Sequence, residues 1–168
     1  MNLLVIGAPG TGKTSLVEYA HSCGYKNFFD TDAVPGLCEW RNGPVEDVTP
    51  TGDESWYATN GWYWKPKKVS ELLNSAENPV ICGSADNVFG FYGLFDKIVL
   101  LYKSREDIVH NLLAPGREQP NGKNPAHHDR ILRWQGRLFE SLKPFDATIT
   151  GNNSVEVMFG KILQALSD

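Results

Sequence analysis

Leu3-Leu4-Val5-Ile6-Gly7-Ala8-Pro9-Gly10-Thr11-Gly12-Lys13-Thr14-Ser15 opens the chain as an apolar run that breaks into a glycine turn and then takes up a helical pattern. Residues 7–14 satisfy the spacing G-x-x-x-x-G-K-[ST] between a strand and a helix, the context in which that spacing has a physical meaning. Glycines let successive backbone N–H groups curl around an anion, the new helix adds the positive end of its dipole, and a lysine reaches the outer phosphates. Gly7, Ala8, Pro9, Gly10, Thr11, Gly12, Lys13, Thr14 and Ser15 are therefore the expected contacts to a nucleoside triphosphate. The Thr14 hydroxyl is the expected ligand of its Mg²⁺.

Working outward, short apolar runs recur at residues 27–29, 79–82, 98–102 and 147–150, interleaved with segments of helical period. That alternation predicts an α/β fold with a mainly parallel sheet. The first helix is expected over residues 12–21, with Leu16, Val17 and Ala20 inward. Val69, Leu72 and Leu73 predict a helix before the third strand, and Ile108, Leu112 and Leu113 one after the fourth, stopped by Pro115-Gly116. Ile131, Trp134, Leu138 and Leu142 make an apolar stripe on a helix over about 126–142, and Val155, Met158, Ile162 and Leu166 make another at the C-terminus.

At 168 residues the chain has the size of one domain, 1–168. A net charge of −4 gives no global footprint for nucleic acid and favours a small-molecule partner. Three cysteines, Cys23, Cys38 and Cys82, at unrelated spacings argue against a disulfide framework or a zinc site and suit a reducing, cytoplasmic setting. No segment approaches the length of a membrane span, so the expectation is a soluble, unprocessed protein.

Asp30-Thr31-Asp32 follows the second run, where an open parallel sheet exposes side chains to a ligand crevice. A carboxylate there can accept a hydroxyl proton, orient a nucleophile or hold Mg²⁺ through water. Asp32 is the first candidate for these roles, with Asp30 beside it on the acceptor side. The plainer alternative is that the two aspartates cap the next turn. Arg117, Lys123, Arg130, Arg133 and Arg137 lie in and after a loop rich in glycine and proline, which predicts a cationic lid over about 115–137. Arg117 is the best candidate to meet a transferring phosphoryl group, while the helical arginines could equally be a solvated flank.

Residues 34–66 lack a sustained period and hold four of the five tryptophans of the chain. This stretch reads as an insertion, and insertions often carry specificity. Trp40 and Arg41 within it, and Gly83 at the end of the third run, are the further acceptor-side candidates. The competing reading of the rings is packing. No acid follows the third run until Asp86, so the hydrolytic signature is weak. His127-His128 point different ways on a helix and make a poor metal pair.

Three of these motifs, G-A-P-G-T-G-K-T, D-T-D and C-G-S, resemble the adenylate-kinase-like and shikimate-kinase-like branch of the small P-loop kinases in order and spacing. F-D-T-D-A-V-P-G-L-C-E-W, V-I-C-G-S-A-D-N and R-E-Q-P-N-G-K are also similar to a group of bacterial kinase-like ATP-binding proteins, over nearly the whole chain. The resemblance implies a three-layer α/β/α sandwich on a five-stranded parallel sheet in the order 2-3-1-4-5. It further implies ATP and Mg²⁺ as cofactors, Lys13, either Asp32 or Asp30, and Arg117 as catalytic residues, and an adenine contact in Gly151-Asn152-Asn153-Ser154. The nucleotide-monophosphate signature of true adenylate kinases is missing, and nucleosides, nucleotides, sugars and small acids all remain as acceptors. Two alternatives to a phosphotransferase stay open, a nucleotide-dependent switch module and a stand-alone nucleoside triphosphatase using Asp86 or Asn87.

Overall fold

The computed structural model describes residues 1–151 and 153–167. Seven strands form: β1 (Leu3–Ile6), β2 (Phe28–Asp30), β3 (Cys38–Arg41), β4 (Gly61–Trp64), β5 (Val80–Gly83), β6 (Lys97–Leu101) and β7 (Thr148–Thr150). Six helices accompany them: α1 (Lys13–Ser22), α2 (Glu54–Thr59), α3 (Pro66–Leu73), α4 (Arg105–Leu112), α5 (His128–Ser141) and α6 (Val155–Ser167).

Five strands build one sheet in the order β2-β5-β1-β6-β7, every pair parallel. Numbered among themselves along the chain, these strands run 2-3-1-4-5, as expected. The difference in label arises because β3 and β4 leave the sheet and pair with each other as an antiparallel ribbon.

A parallel sheet covered on both faces needs strands that are apolar throughout. β1 meets that need, with Leu3, Leu4, Val5 and Ile6 all inaccessible to solvent. Alternation along the strand sends Leu3 and Val5 to one face, where Leu16, Val17 and Ala20 of α1 meet Met158, Phe159 and Ile162 of α6. Leu4 and Ile6 go to the other, against Val69 and Leu72 of α3, Leu138 of α5 and Val88 and Phe91 of a 3₁₀ segment, Val88–Leu94.

Helix boundaries differ from expectation where local chemistry intervenes. α5 begins at His128, two residues later than expected, because Pro125–His127 makes a 3₁₀ turn capped by the Asn124 side chain, which accepts from the backbone N–H of Ala126. The aromatic stretch, expected to be irregular, instead contains β3, α2 and β4. Its strands have four residues each and their partner lies beyond an intervening helix, so no run long enough to show a period exists.

Candidate active site

The loop after β1 turns sharply into α1. Gly12, at φ +99°, turns the chain into α1 through a left-handed conformation that costs a side chain dearly. No side chain caps this helix and no acid occupies its first turn. Its leading N–H groups have no intrahelical acceptors and no side-chain cap. The Thr11 hydroxyl donates 2.8 Å to the carbonyl of Ala8, fixing the loop from within, and the Asn111 amide of α4 donates 2.8 Å to the carbonyl of Gly10.

Lys13 folds back over the same loop, its Nζ donating to the carbonyls of Gly7 at 2.7 Å and Ala8 at 3.1 Å. Among the described residues no carboxylate lies within ion-pair distance of it. Crowding by the surrounding protein lowers its affinity for the proton, opposed by the charges of Asp32 and then Asp30, with Arg117 adding a smaller push downward. An ammonium held by carbonyls, near but not paired with two carboxylates, retains attraction for an incoming anion.

Both aspartates stand at the carboxyl end of β2, but they face different partners. The Thr14 hydroxyl donates 2.7 Å to Oδ2 of Asp30, and Oδ1 of Asp30 accepts from the backbone N–H of Asp32 at 3.0 Å. The sequence reading put Thr14 and Asp32 together on the metal, whereas the observed contact joins Thr14 to Asp30. Asp32 turns the other way, accepting from the indole Nε1 of Trp62 at 3.0 Å. Crowding pushes its carboxyl above the ordinary carboxylate range, opposed by Lys13 and by hydrogen bonds from Trp62 and Gln119.

The antiparallel ribbon sorts the aromatic stretch into two faces. Trp40 and Trp62 are cross-strand partners, with ring centroids 4.9 Å apart, and share the face that reaches Asp32. Trp40 also touches Trp56 and Tyr57 of α2, at 5.0 and 5.5 Å. Alternation turns Arg41 to the opposite face, where it pairs with the buried Glu39 and, at 3.3 Å, with Glu46. Lys65 also pairs with Glu39, at 2.9 Å. The guanidinium of Arg41, an expected acceptor-side residue, is thus paired with carboxylates on the face away from Asp32.

Gly83, another expected acceptor-side residue, packs against Thr31. A Cβ there would lie 2.0 Å from Oγ1 of Thr31, so the missing side chain makes room for Thr31 rather than for a ligand. Asp86 and Asn87 act as extra rungs of β4. The Asp86 carboxylate accepts from the N–H of Trp62 at 2.7 Å, and the Asn87 amide both accepts from the N–H of Trp64 and donates to its carbonyl, each at 2.9 Å.

Arg117 donates through Nη1 to the carbonyls of Gln119 at 2.9 Å and Asn121 at 2.7 Å. Burial lowers its pKa, opposed by Tyr57. Arg130, at the start of α5, ties that segment to α2. Its Nε donates to both carboxylate oxygens of Glu54, at 3.0 and 3.2 Å, its Nη2 to the side-chain oxygen of Asn121 at 2.6 Å, and its plane lies 4.9 Å from the Tyr57 ring. His127 and His128 divide Gly122 between them. Nδ1 of the former accepts from its N–H at 2.9 Å and Nε2 of the latter donates to its carbonyl at 3.0 Å. Among the described residues no group of three or more His, Cys, Asp or Glu could hold a metal.

Sequence reasoning named the ring cluster but not Trp62 as the member that touches Asp32, and it gave Gln119 no role. An indole four residues from the end of a predicted insertion has no spacing signal that aims it at a carboxylate thirty residues earlier. Of the loop after β7, Asn153 accepts from Lys103 Nζ at 3.3 Å, while Asn152 lies outside the described residues.

No protein-family model matches the chain, and no curated protein sequence matches it. Solved structures do. The shikimate kinase from Acinetobacter baumannii in complex with shikimate superposes with a TM-score of 0.62 at 16% identity, covering 99% of this chain and 92% of that one. The fold is that of the small P-loop kinases. The deoxyadenosine kinase from M. mycoides with bound dATP gives a TM-score of 0.62 at 13% identity over 100% of both chains. A gluconokinase from Sinorhizobium meliloti 1021 gives 0.53 at 18% identity, over 99% of this chain and 91% of that one. No helix among the described residues is long and apolar enough to cross a membrane.

Proposed function

We propose that this chain is an ATP-dependent phosphotransferase acting on the hydroxyl group of a small molecule. The observation that carries the reading is the division of labour between the two carboxylates after β2. Asp30 is hydrogen-bonded to Thr14 on the phosphate-loop side, and Asp32 is hydrogen-bonded to Trp62 on the insertion side. Such a pair separates a donor half from an acceptor half.

The donor half fits a triphosphate with Mg²⁺. The uncapped N-terminus of α1 and the unpaired Lys13 supply positive potential. The Thr14 hydroxyl and Asp30 carboxylate supply hard oxygen donors, of which Mg²⁺ usually takes one or two from protein beside phosphate oxygens. When bound, Mg²⁺–ATP supplies the electrophilic phosphoryl group and part of the neutralising charge. Lys13 and Arg117 stabilise charge on the equatorial oxygens, and Asp32 orients the acceptor hydroxyl and takes its proton. The residues 115–137 act as the lid, and 34–66 as the acceptor-side insertion, within one domain.

The hydrolase alternative loses its candidates, because Asp86 and Asn87 are spent on the backbone of β4. The test is ADP release from Mg²⁺–ATP by purified protein, alone and with pooled nucleosides, sugars, polyols and metabolic acids, using Lys13→Ala as control. Stimulation by one pool, absent in the variant, supports the phosphotransferase. Binding of ATP without stimulation by any pool favours the switch module.

A further inference from the structure

On its insertion side, away from Lys13, Asp32 meets rings rather than cations. Trp62 donates to the carboxylate, Trp40 packs on Trp62, and Trp40 in turn meets Tyr57. Aromatic faces with a carboxylate at their edge bind a flat, hydroxylated ring, whose C–H or π surface lies on the indole while a hydroxyl reaches the acid.

Among the described residues most of the cations around this wall have partners. Arg41 and Lys65 sit on the far face of the ribbon, sharing the buried Glu39. Arg130 lies over Tyr57 with both oxygens of Glu54 on its Nε. Farther along α5, Arg137 stacks over Phe89 and Trp134, and Arg133 lines a surface groove with Phe89 and Glu140. Arg117, bound to backbone carbonyls, lies within electrostatic reach of both Lys13 and Tyr57, and the phosphotransfer reading assigns it to the donor. A carboxylate or phosphate on the acceptor would therefore stand next to Asp30 and Asp32 with no cation of its own, and like charges so placed repel strongly.

Resting on the phosphotransfer reading of the same site, we infer that the acceptor is an uncharged, ring-bearing alcohol, of the nucleoside or cyclic-sugar type, and that acids and phosphorylated compounds are excluded. Glu54 is the device that sets this preference, since it neutralises the arginine that lies over the Tyr57 ring.

The experiment compares pairs that keep the ring and its free hydroxyls and differ in charge, uridine with its 6-carboxylate, glucuronamide with glucuronate, and the amide of a carboxylated cyclitol with its free acid. Two readouts are taken, quenching of tryptophan fluorescence for binding and ADP release for transfer. The expected result is that a neutral member quenches and is turned over, with kcat/KM about 100-fold above its charged counterpart. Glu54→Gln, which leaves Arg130 uncompensated, should shrink that ratio by about tenfold. Neutral members that bind without ADP release uphold the acceptor class and overturn the phosphotransfer reading. Turnover of the charged members as fast as the neutral ones, or quenching by none of the neutral compounds, overturns the acceptor class. An unchanged ratio in Glu54→Gln overturns the role of Glu54.

Discussion

The hydroxyl of Thr14, on the first turn of α1, donates a 2.7 Å hydrogen bond to Oδ2 of Asp30 at the end of β2. This contact crosses two adjacent elements of the fold and divides the carboxylates of the D-T-D triplet into unlike partners. Thr14→Val or Asp30→Asn should raise the Mg²⁺ concentration needed for half-maximal turnover by about tenfold, since each removes one of two hard donors. Asp32→Asn should leave that requirement near the wild-type value. Mg²⁺ titrations of ADP release at saturating acceptor check the distinction.

Lys13→Ala should lower transfer by about 10³-fold, the scale of a preorganised charge aimed at a transferring group. The fold should survive, because the ammonium is held by two loop carbonyls and crowding already weakens its charged form. Far-ultraviolet circular dichroism and the melting curve check the fold, and single-turnover kinetics check the loss.

Asp32→Asn should trade activity for stability. The carboxyl is pushed up from its ordinary pKa by the crowd around it, so the ionised form costs the folded state at neutral pH. That cost is fully present above the folded-state pKa and vanishes below the unfolded-state one. The variant should melt about 1–3 °C higher at pH 7, with the gap closing under acid, while acceptor-dependent turnover falls at least 100-fold. In the wild type, kcat should decline on the acid side with a midpoint above the ordinary aspartate value. Melting curves from pH 3 to 8 and a kcat–pH profile check both halves.

Gly83→Ala should destabilise by about 2 kcal/mol, the usual cost of forcing extra volume into a filled site, because the new Cβ would overlap Oγ1 of Thr31 at 2.0 Å. Adding Thr31→Ala should recover most of the loss, as the clash then loses its closest atoms. Chemical denaturation of the two single variants and the double variant measures the coupling.

The sheet and donor loop were legible in the sequence because each rests on a local signal. β1 is apolar at every position, the glycine spacing fixes the turn, and each covering helix carries its own stripe. The acceptor half was legible only as composition. Trp62 reaches Asp32, and Arg41 turns away from it, through the alternation of a four-residue strand whose partner is separated by α2. Likewise, Arg130 read as one of three arginines on a flank, and its commitment to Glu54, 76 positions away, has no expression in spacing.

The most direct test of the central claim is the mass of the acceptor after incubation with protein and Mg²⁺–ATP. The account predicts that a neutral ring alcohol gains one phosphoryl group, in amount equal to the ADP formed, and that Lys13→Ala yields none. ADP accompanied only by inorganic phosphate, with every acceptor recovered unchanged, would contradict it.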